Sequence, residues 1–410
     1  MKDCASGQTG EKNDQLIITD YIPPGKNRRM LLTGLISGAR LIEVHLEDPA
    51  HPSLLGNIYI GRIDSVSKNL NAAFVEFQPG QNGYFPLENL KNPIYIKNTN
   101  HSPIPVRGDE ILVQIEKENV KTKLPTLTAN LNFTGSYCVL ISGKNKTGVS
   151  KKIRKEKRRE LLELFSEEEC SDYGLILRTN AQNVPAEVIL KEYRQLKEEF
   201  YSVIKGAQYR TCFSCLKRTP TVHKKVLQDI SYAKLDRITT DLPDLYEEII
   251  RMQEESEGLK SIPVRLYDDP SYPLCAVYNV EKQLERAQNR NVWLPGGGYL
   301  VIEPTEALTV IDVNTGKSTA KKNSEAHFLA VNREAAEEIA VQLRLRNISG
   351  IVVVDFIDLK EEEMRRELFS SLKQAVSRDP VPVQVIDFTK LGLVEMTRKK
   401  VSKSLREQLT

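Results

Sequence analysis

LTVIDVN (308–314) and IVVVD (351–355), with a helix-patterned stretch between them, decide how the last third of the chain folds. In the first, Leu308, Val310 and Ile311 lead as a strand into Asp312. The second is a continuous apolar run of the kind buried inside a sheet. Around them the order reads strand, strand, helix, strand, helix, strand. The pieces are GYLVIEP (298–304), ALTVIDVN (307–314), a helix from about Ser324 to Arg346, GIVVVDF (350–356), a helix from Glu361 to Ser377, and VPVQVIDF (381–388). That alternation predicts an α/β layer on a mixed sheet.

The same strands carry the strongest chemical signal. Asp312 and Asn314 are two residues apart, so an extended backbone puts them on one face. Asp355 stands at the carboxyl end of the second run, with Asp358 shortly after. Ligands of open α/β sheets gather at the carboxyl ends of strands, so if the two strands are neighbours, Asp312 and Asp355 face one cleft. Two carboxylates there repel unless a cation lies between them, and a few oxygen donors suit Mg²⁺. A Mg²⁺ so held polarises a phosphodiester oxygen and lowers the pKa of a water that attacks phosphorus. The alternative is that each Asp caps the turn or helix after its strand, and spacing alone does not choose.

The remaining sequence sets the frame. With 410 residues the chain holds two to four domains of about 100–200 residues. Lys+Arg 58 against Asp+Glu 55 leaves a formal charge of +3, so no global basic field exists and any nucleic-acid site must come from local clustering. A hydrophobic content of 40% supports packed cores and excludes a disordered chain. Six cysteines over this length read as reduced intracellular thiols rather than a disulfide scaffold. The amino terminus, MKDCASGQTGEKNDQ, has no apolar signal core, and no apolar stretch approaches the ~20 residues that span a bilayer. A cytoplasmic protein without a membrane segment is the expectation.

The first fifteen residues read as a loose tail, and Met30–Ser37 with Ala39–Leu46 as a hairpin about Gly38. From Gly56 to about Glu116 short alternating strands, broken by Gly, Pro and Asn, suggest a small barrel or sandwich, with residues 91–107 as a polar loop. In NAAFVEF (71–77) alternation puts Ala73, Val75 and Phe77 on one face and Phe74 with Glu76 on the other. Phe74 and Tyr84 are therefore candidates for the wet side, where aromatics stack on single-stranded nucleic acid at roughly 1–3 kcal/mol per base. Lys117, Lys121 and Lys123 follow the last strand and can neutralise phosphates. The bland alternative packs Phe74 under a loop and leaves the lysines solvated. Downstream, Ser150 can cap a charged helix whose charges read as a solvated face. A strand at Gly174–Leu177, a helix near Pro185–Lys205, helix-rich sequence to about Glu257 and the strand-like IPVRLYDD (262–269) complete the pass.

GNIYIGRIDSVSKNLNAAFVEF (56–77), NGYFPL (82–87), LPGGGYLVIEPTEALTVIDVNTGK (294–317), LRLRNISGIVVVDFIDL (343–359) and GLVEMTRKKV (392–401) closely resemble the bacterial ribonuclease E/G family of endoribonucleases. The resemblance runs from about Leu31 to Leu405. It implies a multidomain α+β and α/β chain: an S1-type OB barrel (53–129) inserted in a ribonuclease-H-like subdomain (1–52 and 224–287), a 5′-sensor region (130–223) and a DNase-I-like α/β catalytic subdomain (288–410). It further implies that Asp312 and Asp355 ligate a catalytic Mg²⁺, for which Mn²⁺ can substitute, and that Asn314 assists them. By the same resemblance Phe74, Tyr84, Lys117 and Lys123 contact RNA. Arg178 and Thr179 in GLILRTN (174–180), with the backbone around Gly135–Val139, bind a 5′-monophosphate. Arg supplies a bidentate fork for phosphate and Thr a hydroxyl donor, although NAQNVP after Thr179 departs from the family's commoner Gly-rich form.

The implied activity is Mg²⁺-dependent cleavage of single-stranded, AU-rich RNA, stimulated by a 5′-monophosphate and leaving 5′-phosphate and 3′-hydroxyl ends. The implied substrates are rRNA precursors and mRNA. The family's C-P-x-C pair, through which two chains share one Zn²⁺, has no counterpart before Thr410; either the protein lacks that bridge or the sequence stops short of it, and the expectation is no zinc and a possible homo-oligomer without that link. Cys212-x-x-Cys215 lies elsewhere and reads as ordinary thiols. Arg398 and Lys399 are weaker candidates for RNA-backbone contacts. The rival reading is a non-catalytic S1-type RNA-binding protein, against which stands the joint retention of Asp312, Asn314 and Asp355.

Overall fold

The structure, a computed structural model, describes residues 14–90, 93–102, 104–118, 124–166, 172–230, 234–316 and 325–409. The chain divides into two compact units, one of residues up to 50 together with those from 234 onward, the other of residues 51–233.

The first unit contains the α/β layer. Its six-stranded sheet runs in the order Asn291–Trp293, Tyr299–Pro304, Leu308–Asn314, Gly350–Asp355, Val394–Arg398, Val383–Phe388. Leu308–Asn314 and Gly350–Asp355 are parallel and are joined through the helix Glu325–Leu345; the other pairings are antiparallel. The period of two sorts each strand's residues. Thr309, Ile311 and Val313, with Val352 and Val354, point into a core closed by Leu329, Ala336 and Ile339 of that helix and by Leu368 and Leu372 of the helix Glu362–Val376. The alternate positions, Asp312, Asn314, Ile351 and Asp355 among them, lie on the opposite, open face. Each fully buried aliphatic side chain contributes about 1.5–3 kcal/mol, so the inward row sets which way the acids face. A one-residue slip would bury them.

A second sheet in this unit runs Val264–Leu266, Leu235–Thr240, Asp14–Tyr21, Met30–Ser37, Arg40–Glu47. Two of these strands are not evident from the sequence. Asp14–Tyr21 begins inside the stretch read as a tail, yet Leu16, Ile17 and Ile18 are fully buried. Leu235–Thr240 (LDRITT) lies inside the stretch read as helix-rich, and pairs parallel to Asp14–Tyr21. Its polar composition hides a strand whose Thr239 and Thr240 are buried. The hairpin of Met30–Ser37 and Arg40–Glu47 forms as read.

The helix Glu325–Leu345 is tied to this second sheet by ion pairs. Arg40 grips the Glu338 carboxylate with both terminal guanidinium nitrogens, Nη1 and Nη2. Arg344 donates to Glu43 at 2.7 Å, and His45 Nε2 lies 2.8 Å from the other Glu43 oxygen.

The second unit contains the barrel. Ile58–Ser67, Ala72–Gln78, Gln81–Pro86, Thr126–Thr128 and Glu110–Lys117 pair in that order, and the last pairs back onto the first, closing a five-stranded barrel of the S1/OB kind. Inside the stretch read as a loop, Tyr95–Lys97 adds a short edge strand to Glu110–Lys117. A four-stranded sheet follows, ordered Asn132–Thr134, Cys138–Ser142, Tyr173–Leu177, Thr147–Val149. The helix Ala186–Ala207 covers it with Ile189, Tyr193 and Phe200, in a core that also takes in Ile58, Ile60 and Leu112 of the barrel. Ser150 does not cap a helix: the helix starts at Lys155, and the Ser150 hydroxyl hydrogen-bonds Thr179 at 2.9 Å.

Burial would raise the Glu43 carboxyl, but the hydrogen bond and charge of His45 and the charge of Arg344 outweigh it, holding the group at about 2 against an ordinary 4.5. A carboxyl lowered on folding stabilises the fold above its unfolded pKa and loses that contribution as pH falls through the folded one. Urea unfolding should therefore show stability declining from about pH 4.5 toward pH 2, with a shallower decline in Glu43→Gln. An equal slope in both proteins would remove Glu43 from the account.

Candidate active site

The parallel register places Asp312 directly opposite Asp355. Both side chains are exposed on the open face, at the carboxyl ends of their strands, so the neighbouring-strand condition posed by the sequence is met. Asn314 donates its Nδ2–H to Asp312 Oδ2 at 2.7 Å, which orients that carboxylate. Asp358 is exposed just beyond Asp355. Desolvation, then the charges of Asp312 and Asp358, push the Asp355 carboxyl above its ordinary value.

One group that the sequence did not disclose fixes this end of the sheet. Asn332, fully buried on the helix Glu325–Leu345, donates to the Ile357 carbonyl at 2.8 Å and accepts the Ile357 N–H at 3.0 Å. It thereby pins the backbone between Asp355 and Asp358. An Asn within a helix reads as a weak helix former, and nothing local reveals its partner.

Among the described residues no group of three or more His, Cys, Asp or Glu is arranged to hold a metal ion. The donor set is instead two facing carboxylates with a neighbouring amide. That suits a hard cation such as Mg²⁺, which is commonly held by one or two carboxylates, substrate phosphates and water. Burial is the first cause of the raised Asp355 carboxyl, and the neighbouring charges of Asp312 and Asp358, which a cation here would offset, add to it. The residues fit the cation.

On the barrel, Phe74 and Tyr84 are direct cross-strand partners, with ring centroids 6.3 Å apart and planes at 69°. Ala73, Val75 and Phe77 point into the barrel core while Phe74 and Tyr84 are half-buried. The pairing continues from Tyr84 to Thr126 and from Thr126 to exposed Lys117, so the row Phe74, Tyr84, Thr126, Lys117 crosses four strands. Thr126 was not singled out by sequence. Lys121 and Lys123 lie outside the described residues.

Arg178 and Thr179 meet the Gly135–Val139 segment. Arg178 donates Nη1–H to the Gly135 carbonyl at 2.6 Å and its backbone N–H to the Tyr137 carbonyl at 2.7 Å, and its Nη2 is paired with Asp229. Thr179 bonds Ser150, and Val139 pairs in register with Ile176. The Glu192 carboxylate accepts the backbone N–H groups of Ser136, Tyr137 and Cys138 at 2.7–2.9 Å. A Cβ at Gly135 would come 2.5 Å from that carboxylate, which would have to shift to make room. Asp229 and Glu192 were invisible in sequence because each sits on a helix remote from the Arg-Thr pair.

Arg398 is not a free surface cation. It ends the strand Val394–Arg398, is 4% exposed, and donates to Asp379 at 2.7 and 3.2 Å and to Asn347 Oδ1 at 2.7 Å. It is a buried structural tie; Lys399 beside it is exposed. Cys212 and Cys215 are not joined in a disulfide; their thiols donate to the Ile60 and Lys217 carbonyls at 3.9 and 3.5 Å, and burial, then the charge of Glu110, raises Cys212, which disfavours a reactive thiolate.

The ribonuclease E/G family model matches residues 132–401. Ribonuclease G of Salmonella typhimurium (strain SL1344) is 33% identical over 384 residues, covering 91% of this chain and 78% of that protein, as is ribonuclease G of Escherichia coli K12. Ribonuclease E of Haemophilus influenzae is 33% identical over 391 residues, 92% of this chain and 41% of that protein. The chain belongs to the ribonuclease E/G family. Within the family match fall both strands with the paired carboxylates and the Arg178–Thr179 segment, whereas Phe74, Tyr84 and Lys117 precede it. Among the described residues no helix is long and apolar enough to cross a membrane.

Carbon-detected carboxyl titration should find the Asp355 midpoint above 3.8, and Asp312→Asn should bring it down by removing one like charge. A midpoint indifferent to that substitution would mean the two carboxylates do not sense each other.

Proposed function

We propose that this chain is a divalent-cation-dependent endoribonuclease that hydrolyses internal phosphodiester bonds of single-stranded RNA, with Asp312 and Asp355 as cation ligands. The observation that carries the reading is the direct opposition of the two carboxylates on an open sheet face. Family membership supplies the reaction class, since its named relatives are ribonucleases G and E.

A bound Mg²⁺ or Mn²⁺ would supply charge neutralisation at the phosphodiester and a more acidic water. The chain's own residues do the rest. Asp312 and Asp355 would hold the cation, Asn314 keeps Asp312 in one orientation through its 2.7 Å hydrogen bond, and Asn332 holds the Asp355–Asp358 backbone in place. Water adds to phosphorus, the bond from phosphorus to the 3′ oxygen breaks, and that oxygen takes up a proton. The products are a 3′-hydroxyl and a 5′-phosphate.

Phe74, Tyr84 and Lys117 would grip the strand by stacking and charge, with Lys123 in the same role. Arg178 and Thr179, beside the Val139 strand, would read a 5′-monophosphate that competes with Asp229 for the Arg178 fork. AU-rich preference, processing of rRNA precursors and decay of mRNA belong to the same proposal. So does the division into ribonuclease-H-like (1–52, 224–287), S1-type (53–129), 5′-sensor (130–223) and DNase-I-like (288–410) parts.

The test is a 5′-monophosphorylated, AU-rich oligoribonucleotide incubated with and without Mg²⁺. Internal cleavage should require the metal and should fall by at least about 100-fold in Asp312→Asn or Asp355→Asn, in the range seen when one transition-state charge partner is removed, while RNA affinity changes little. Tight binding without cleavage under any divalent cation would convert the chain to the rival reading, a non-catalytic RNA-binding protein.

A further inference from the structure

The open face of the catalytic sheet carries an aromatic pair that neither the paired acids nor the barrel accounts for. Trp293 is 70% exposed, and Tyr299 lies directly opposite it on the next strand, ring centroids 5.2 Å apart and planes at 49°. Tyr299 in turn lies directly opposite Asn314. Trp293, Tyr299 and Asn314 thus form one row across three strands. About 10 Å, two strand spacings, separates the Trp293 backbone from that of Asn314.

The hairpin that holds the rings is braced against this end of the sheet. Leu294 N–H bonds the Gly298 carbonyl at 2.8 Å, and Gly296 N–H bonds the Glu334 carboxylate at 2.9 Å. A Cβ at Gly298 would come 2.8 Å from the Asn314 carbonyl, and one at Gly316 would come 2.3 Å from the Gly297 carbonyl. The glycines let the turn press against the strand that delivers Asp312 and Asn314. The sheet thus presents the indole and the Tyr299 ring side by side on its open face, in line with Asn314.

We propose that Trp293 and Tyr299 form a stacking platform for a nucleobase flanking the scissile phosphate, a positioning subsite on the catalytic sheet itself. The inference rests on the endoribonuclease reading above and adds a contact to it. An unpaired base offers a flat π-face that an exposed indole can take, and base–aromatic stacking tolerates any of the four bases. A base paired in a duplex has both faces covered by its neighbours, so the platform also selects single strands near the cut. Stacking there holds the phosphate over Asp312 and Asp355, which an acidic face cannot do by attraction.

Trp293 is the only tryptophan of the chain, so intrinsic fluorescence reports this one position. In full-length Asp312→Asn, titration with a single-stranded oligoribonucleotide should quench the emission saturably, while a duplex and an abasic oligonucleotide should not. In the otherwise native enzyme, Trp293→Ala and Tyr299→Ala should each raise KM about tenfold with a smaller change in kcat, the loss expected for one stacked base, and Trp293→Phe should keep KM within about threefold. Cleavage with unchanged KM in Trp293→Ala and no quenching would overturn the platform while leaving the nuclease intact. Quenching without cleavage by the native enzyme would keep the platform and sink the nuclease. Emission that shifts with protein concentration in the absence of RNA would make the face a contact between copies of the chain, and equal KM losses on abasic substrate would make the rings structural.

Discussion

The proposed phosphodiester chemistry depends on one register: two parallel strands matched so that Asp312 stands opposite Asp355. Side chains directly opposite on adjacent strands are close neighbours, so the two carboxylates repel, an effect that water on the exposed face weakens. The fold tolerates it because the same backbone that exposes the acids buries Ile311, Val313, Val352 and Val354 on its other face, against two helices. Hydrophobic burial fixes the register, and the register holds like charges together. A cation between them would turn the repulsion into a binding site, which is why the arrangement points to metal-assisted phosphodiester chemistry.

The same sheet logic recurs in the aromatic pairs. Phe74 with Tyr84 on the barrel and Trp293 with Tyr299 on the catalytic sheet are each directly opposed on neighbouring strands, each on a face away from the local core. In both, the residues alternating with the rings pack inward, and the rings are left for something flat. On the proposed reading, each aromatic pair would take bases of single-stranded RNA.

What could be read in advance followed the periodicity. The strands around Asp312 and Asp355 and the helices between them were legible because apolar alternation and continuous apolar runs are strong local signals, and the alternation of NAAFVEF correctly separated Phe74 from Ala73, Val75 and Phe77. The misses share one cause. Leu235–Thr240 is a polar-looking strand whose burial comes from its neighbours in the sheet. Val394–Arg398 inserts between two strands already identified, and that insertion buries Arg398, which a linear reading takes for a surface cation. Asn332, Glu192 and Asp229 act only through partners distant in sequence. Trp293 could have been noticed as the sole indole beside a glycine-rich turn, but only the three-strand register ties it to Asn314.

The central claim is a single shared cation, and Mn²⁺ is the direct probe. Electron paramagnetic resonance of the full-length protein titrated with Mn²⁺ should reveal a bound ion that is lost in both Asp312→Asn and Asp355→Asn and retained in Trp293→Phe. Mn²⁺ binding that survives both carboxylate substitutions unchanged would contradict the account.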